Sequence, residues 1–373
     1  MDTWFKDNVD LKTIAPTLLL LAIGVASVYS ATYDAGASMY FNRQLIWTGI
    51  GILLMLIIMV IPFRTLQLLS YPLYGFSILF LIVVLIAGKM VAGSKSWFGV
   101  AGFGLQPSEI VKVTTILALA SYLSERHVNL NRFKHLSIIL GFVLLPVLLI
   151  VLQPDVGTAI IYLGMLVIIL YWAGASNFLM MTMIAPFAAV IATLFGTTPF
   201  LIVIAVTFVT LFLLRQNRLA AAMVFSLTVL MGVSVQFIFG KLAPHQQNRI
   251  VTFLNPDADP LGAGYNVIQS KIAIGSGGLF GKGFLQGSQT QLNFIPAQWT
   301  DFIYCVPSEE FGFIGAFAIL LFLTLFLIRG VQIASMVKSR YASLVAIGIV
   351  AAFATHTIIN IGMSMGIMPV VGV

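Results

Sequence analysis

The sequence predicts an all-α polytopic membrane protein of about eleven transmembrane helices with one long polar loop, and three observations carry that prediction. Of its 373 residues, 60% are hydrophobic and only 8% charged, whereas a soluble domain carries about 25% charged residues. Mean hydropathy is +1.05 over the whole chain. Apolar runs recur near 14–31, 44–62, 66–92, 107–123, 136–152, 158–174, 178–195, 198–214, 219–240, 303–328 and 342–361, each about the length that crosses a bilayer as a helix. Lipid offers no partner to a free backbone N–H or C=O, so such runs must bond internally as helices. They are too long and too uniformly apolar for barrel strands.

The connections between runs justify the elements in turn. Tyr33-Asp34-Ala35-Gly36, Pro62-Phe63-Arg64 and Arg215-Gln216-Asn217-Arg218 are short turns, and residues 124–135 form a larger polar loop of mixed charge. With the N-terminus inside, Lys6, Lys12, Arg64, Arg126, Arg132, Lys134, Arg215, Arg218, Arg329, Lys338 and Arg340 fall on the inner side, eleven of nineteen basic residues. Arg43, Lys89, Lys95, Lys241, Arg249, Lys271 and Lys282 fall outside, four of them in the long loop 241–300, and Lys112 lies within a span. Short loops set orientation and long ones weigh little, so loop 241–300 faces outward. The formal net charge of +7 follows from this scatter of inner-loop cations, and no nucleic-acid stripe is expected.

The first run ends in Ser27-Val28-Tyr29-Ser30-Ala31, as a cleavable signal does, but Asp2, Asp7 and Asp10 offset Lys6 and Lys12. A signal-anchoring span is therefore expected, with 1–373 forming a single transmembrane domain. One cysteine, Cys305, excludes an internal disulfide or a Cys-based metal site. The four histidines, His127, His135, His245 and His356, show no metal-ligand spacing.

Ionisable residues within spans are site candidates by default. Glu109 and Lys112 lie three apart in Gln106-Pro107-Ser108-Glu109-Ile110-Val111-Lys112, on one helical face, as an ion pair or a cavity lining. Asp155, in Gln153-Pro154-Asp155-Val156-Gly157-Thr158, either begins a helix or joins a site. Asp301, Glu309 and Glu310 flank the start of the span after the loop, where Pro307-Ser308 suggests a helix start and a site role is the alternative; His356 and Asn360 read as packing partners, or else as the lining of a polar cavity.

The long loop holds the densest chemistry. Glycines 262, 264, 275, 277, 278, 281, 283 and 287 permit close backbone approach to a ligand, in no nucleotide-binding pattern. Val267 to Ile274 is apolar enough for a short interfacial helix carrying Lys271. Asp259, in Asp-Pro-Leu-Gly-Ala-Gly-Tyr, reads on spacing alone as a solvated loop aspartate or as an acceptor of a proton from a hydroxyl, with Asp257 its rival. Arg249, Lys271 and Lys282 are placed to stabilise an anionic phosphate leaving group.

At these residues the chain resembles the SEDS family (shape, elongation, division and sporulation). The matching motifs are Gln-Pro-Ser-Glu-Ile-Val-Lys at 106–112, Gln-Pro-Asp-Val-Gly-Thr-Ala at 153–159, Asp-Pro-Leu-Gly-Ala-Gly-Tyr-Asn at 259–266, Gln-Ser-Lys-Ile-Ala-Ile-Gly-Ser-Gly-Gly at 269–278, Thr-Asp-Phe-Ile at 300–303 and Glu-Glu-Phe-Gly at 309–312. The resemblance covers nearly the whole chain and favours the elongation branch over the division branch. It implies a peptidoglycan glycosyltransferase in the bacterial cell membrane that polymerises lipid II on the outer face, working with a class B penicillin-binding protein and other elongation-complex proteins. It implies an essential, catalytic aspartate at Asp259, the family's buried pair at Glu109 and Lys112, and basic site positions at Arg249 and Lys271. Gln269 and Ser270 in the same motif, with Lys282 and Asp155, complete the candidate substrate-binding set.

On that basis the expected reaction is an inverting transfer, in which Asp259 takes the proton of the acceptor 4-hydroxyl and a β-1,4 bond forms. A divalent cation sharing the pyrophosphate charge stays open as a cofactor. A lipid-linked precursor flippase or a non-catalytic scaffold are the alternatives from other functional classes. Several features depart from the family pattern. Four runs lie between Asp155 and Lys241 where two are usual, Trp299 stands in place of a common histidine, and Pro307-Ser308 interrupts an apolar run. Gly93-Ser94-Lys95-Ser96-Trp97 lacks the usual arginine before tryptophan, and the family's closing Pro-Phe-x-Ser-Tyr-Gly-Gly motif, with its last span, is expected beyond Val373.

Overall fold

A computed structural model describes residues 10–370 except 92–93, 101–102, 215–216, 240, 242–246, 248–250, 252–253, 256–258, 261 and 263. Helices occupy all eleven apolar runs: α1 Leu11–Tyr33, α2 Ser38–Val60, α3 Phe63–Ala87, α4 Pro107–Ser124, α5 Phe133–Val151, α6 Val156–Trp172, α7 Asn177–Leu194, α8 Thr197–Leu213, α9 Arg218–Phe239, then α13 Gly312–Met336 and α14 Arg340–Ser364. Three shorter helices lie between α9 and α13: α10 Tyr265–Ser276, α11 Ser288–Gln291 and α12 Cys305–Glu310. Among the described residues, eight helices are both long and apolar enough to span a membrane, and α6 and α8 are apolar but shorter. The protein is therefore a polytopic, helical membrane protein. The expected count of about eleven spans exceeds the eight that meet both criteria.

Two local expectations change. The run 66–92 ends as helix at Ala87, and residues 89–105 form three antiparallel strands, β1 Lys89–Val91, β2 Ser94–Val100 and β3 Phe103–Leu105, in the order β1-β2-β3. Phe98 stacks on Phe80 of α3 at 4.9 Å, and the Ser94 hydroxyl donates to the Gln153 carbonyl at 2.6 Å, so the sheet is seated on the helices. The run 303–328 is broken. It begins as the short α12, and the span proper starts only at Gly312, whose φ of +64° turns the chain.

The described chain divides into two compact units. The first contains residues 1–128, 137–166 and 266–373. Its most enclosed helix is α4, packed against α3 and α14. Pro107 opens α4 at a position where a missing N–H costs nothing. Ile161, Ile359 and Met363 form one buried cluster and Ala273, Ile295, Phe302 and Cys305 another. Arg329 donates to both oxygens of Asp10, at 2.7 and 3.1 Å, tying the start of α1 to α13. By contrast α2 buries no residue within the chain, leaving its apolar side chains for lipid.

The second unit contains residues 129–136 and 167–265. Here α7 packs on both α8 and α9. Ser176 caps α7 by accepting from the Leu179 amide at 3.3 Å, and Phe208 of α8 meets Phe225 of α9 edge-on with centroids 5.9 Å apart.

Candidate active site

Within the second unit, Asp259 stands at the head of a turn that leads directly into α10. Its carbonyl accepts the Gly264 amide at 3.1 Å and its Oδ1 accepts the Gly262 amide at 3.0 Å. The turn is possible because proline follows the aspartate and glycines supply the returning amides. The carboxylate is exposed and locally oriented, which suits a proton acceptor for an incoming hydroxyl. Arg249 and Asp257 lie outside the described residues.

In the first unit, α10 places Gln269, Ser270 and Lys271 on successive faces. Lys271 is exposed and crosses Gly366 in the turn after α14. Gln269 is half-buried. Ser270 is fully buried: its hydroxyl lies 2.8 Å from the Cys305 thiol and donates to the Ser364 carbonyl, binding α10 to α12 and α14. Sequence grouped Ser270 with the substrate-binding residues, but its hydroxyl serves helix packing.

Lys282 also has a structural partner. Its ammonium donates to Glu309 Oε1 at 2.7 Å and to the Ser288 hydroxyl at 2.8 Å. Glu309 is fully buried, and it further accepts the Gln289 amide at 2.9 Å, the Thr290 amide at 3.0 Å and the Thr290 hydroxyl at 2.8 Å. Burial pushes its carboxyl up, but Lys282 and these amide and hydroxyl donors outweigh it and hold it below the usual value. Glu310 goes the other way. Burial raises it, against donors from Ser30, the Leu285 amide and Gln291. Glu310 Oε2 has no hydrogen-bond partner among the described residues. The two acids thus anchor the 279–293 segment to the head of α13, a role sequence reading reduced to a helix start. Adjacent acids facing a glycine-rich stretch were the available signal.

Glu109 and Lys112 pair as their spacing predicts, at 2.8 Å, with Lys112 buried and Glu109 half exposed at the first turn of α4. The structure adds a third member: Lys112 Nζ lies 2.6 Å from His356 Nε2 of α14. An ammonium can only donate, so Nε2 accepts and the ring proton sits on Nδ1. His356, with Ser27, Tyr304, Thr357 and Asn360, also borders a mostly apolar cavity of about 300 Å³. Asn360 donates to the Asp301 carbonyl at 3.3 Å. Asp155 caps α6, accepting the Thr158 amide at 3.1 Å, the Thr158 hydroxyl at 3.0 Å and Gln106 Nε2 at 2.9 Å. The helix-starting reading accounts for the two bonds from Thr158, and the bond from Gln106 ties this turn to the start of α4. Among the described residues no three His, Cys, Asp or Glu side chains gather as a metal site.

Comparison with known proteins gives a consistent class. The family described as cell cycle protein, that of FtsW, RodA and SpoVE, matches residues 11–203 and 178–373. The chain belongs to this family. It is 34% identical to the peptidoglycan glycosyltransferase RodA of Treponema pallidum, over 98% of this chain and 92% of that one. It is 36% identical to the stage V sporulation protein E of Bacillus subtilis, over 99% and 90%. Among solved structures it is similar to a chain of a peptidoglycan synthase complex that coordinates polymerization and crosslinking, with TM-score 0.72 and 28% identity over 98% of this chain and 89% of that chain. The fold is also that of the Thermus thermophilus rod shape determining protein RodA, with TM-score 0.60 and 23% identity over 95% and 84%.

Proposed function

We infer that this protein is a peptidoglycan glycosyltransferase of the inverting type, acting in the cell membrane. The observation that carries the reading to a residue is the turn at 259–264, which holds an exposed carboxylate immediately before the helix that carries Lys271. We propose that Asp259 takes the proton of the acceptor sugar's 4-hydroxyl as that oxygen attacks the anomeric carbon of lipid II. The bond to the lipid pyrophosphate breaks, and its electron pair leaves with the pyrophosphate. A pyrophosphate is a weak base, so it needs cations more than the general acid used by glycosidases.

Arg249 and Lys271 are assigned to that charge. Lys282 joins them only through the loop it braces with Glu309. Gln269 is placed beside Lys271 for the substrate head group. Glu109 and Lys112 are assigned to the wall of the substrate cavity, with Asp155 shaping its rim. A divalent cation would be carried by the substrate pyrophosphate itself. The positive-inside pattern supports an outward-facing loop, and a class B penicillin-binding protein is the proposed partner that crosslinks the product.

The test is polymerisation of lipid II by the purified protein with its transpeptidase partner, comparing Asp259→Asn with Asp257→Asn. Loss of at least about a hundredfold in rate is expected for Asp259→Asn, the scale of one positioned base. Retained polymer in that variant removes the base assignment, and loss confined to Asp257→Asn transfers it.

A further inference from the structure

The helical hairpin α8–α9 plays no part in the chemistry above, and it carries a feature of its own. At the end where α8 meets α9, a cleft of about 630 Å³ opens between the two helices. Its walls are Phe208, Leu211 and Phe212 of α8 with Ala222 and Phe225 of α9, and its single charged wall residue is Arg218. Phe212 and Arg218 are exposed and Leu211 is buried, so the cleft has an apolar floor and an open, cationic mouth. Arg218 is the first residue of α9, and no hydrogen bond or ion pair is recorded for it among the described residues.

The surrounding stretch of sequence holds no acid either. From Val156 to Pro256 the sequence contains no Asp or Glu, and Arg215 precedes Arg218 by three positions in it. A 22-residue helix is about 33 Å long, so its end residue stands near the phosphate level of a bilayer. The helix start adds a partial positive charge at the same place. Phe225 lies seven residues further along α9, roughly 10 Å deeper, which is the level of acyl chains. A polar anion at the mouth and a hydrocarbon chain below it match this arrangement atom class by atom class. Arginine's planar fork is suited to a phosphate.

We propose that the α8–α9 cleft binds an anionic phospholipid, its phosphate on Arg218 and one acyl chain along the apolar wall formed by Phe208, Phe212 and Phe225. The site is independent of the glycan-polymerising reaction and would bind lipid in a protein whose Asp259 is replaced.

The test uses the full chain in neutral detergent, with retained lipid counted by native mass spectrometry during titration with phosphatidylglycerol or phosphatidylcholine. Wild type is expected to retain phosphatidylglycerol about tenfold more tightly, Arg218→Gln to lose that preference, and Arg218→Lys to keep part of it. Ala222→Phe, which fills the cleft without touching the charge, is expected to weaken both lipids. A Lys338→Gln control, an exposed cation at another helix end, is expected to change nothing. An unchanged preference in Arg218→Gln, an equal loss in Lys338→Gln, or unaltered binding in Ala222→Phe each overturns the proposal. Displacement of the lipid by inorganic phosphate alone would point to a soluble anion, and displacement by equimolar polyprenyl pyrophosphate to a substrate site; either result also overturns it.

Discussion

Replacing Glu309 by glutamine probes the anchor of the 279–293 segment while keeping the side chain's size. Oε1 of the carboxylate serves Lys282 and the Gln289 amide, and Oε2 serves the amide and hydroxyl of Thr290. An amide has one acceptor oxygen. Put at the Oε1 position, it leaves the Thr290 amide facing a donor; put at Oε2, it leaves both Lys282 and Gln289 so. In the better case one buried N–H goes unpaired, at about 1–3 kcal/mol. The bond from the Gln289 amide also loses its charged acceptor, which roughly halves it, and the Lys282 bond is weakened though its donor stays charged. A local cost of about 2–4 kcal/mol follows, or roughly 30- to 900-fold in the opening equilibrium. Hydrogen exchange at the Gln289 and Thr290 amides reads that opening directly. Acceleration below about threefold in Glu309→Gln would refute the anchoring argument. The pH sign is fixed as well. The folded carboxyl sits below its ordinary 4.5, so its stabilisation is complete above that value and is lost as pH falls through the folded one. Exchange protection should decline on acidification in wild type and be flatter in the variant.

Glu310→Gln should behave oppositely. Its folded carboxyl is raised by burial, so the ionised form is a cost at neutral pH that diminishes as pH falls toward the ordinary carboxylate value, and the amide removes that cost while still accepting from Leu285. Thermal unfolding at neutral pH should show equal or greater stability, and a loss as large as that of Glu309→Gln would contradict the reasoning. Asp155→Ala removes the cap of α6 and the partner of Gln106, which should cost about 1–3 kcal/mol. Denaturation monitored by tryptophan emission checks it, and an unchanged midpoint would mean that the cap is replaced by water.

Much of this arrangement was legible because its causes are local. The eleven apolar runs became helices since hydrocarbon length and uniformity leave no other backbone solution. The Glu109–Lys112 pair was legible because three residues make one helical face. Asp155 as a cap followed from its place before Val156-Gly157-Thr158. His356 was not legible as the partner of Lys112. It lies 244 positions away, and no periodicity within one helix announces a neighbour on another. The 89–105 sheet was lost in the tail of an apolar run, where Gly and Ser dilute any alternation. The interruption of run 303–328 was legible at Pro307-Ser308, but its place at Gly312 was not, because hydropathy averages over a window and does not register a single residue with positive φ.

The glycines after α10 show how the same letters support two physical readings. Sequence suggested that they let backbone approach a ligand. In the fold the approach is to the chain itself: a Cβ on Gly281 would collide with the Glu310 carbonyl, and one on Gly312 with the Gly281 nitrogen, and both residues have positive φ. The Lys282 and Gly283 amides then donate to the Glu309 and Glu310 carbonyls, at 3.1 and 2.9 Å. Ser30 of α1 bonds Glu310 from below, and Gln298 donates to the Ala31 carbonyl at 2.9 Å. This segment is thus a fixed frame between α1, α12 and α13, built from backbone contact and buried acids. A frame of that kind holds the C-terminal end of α10 through its helix-ending turn, where the Gly281 amide donates to Gly277 at 2.8 Å. The N-terminal end of α10 instead carries the Asp259 turn, held by its own glycines. The two ends of α10 thus differ: a turn braced by backbone contacts follows it, and a turn with an exposed carboxylate precedes it.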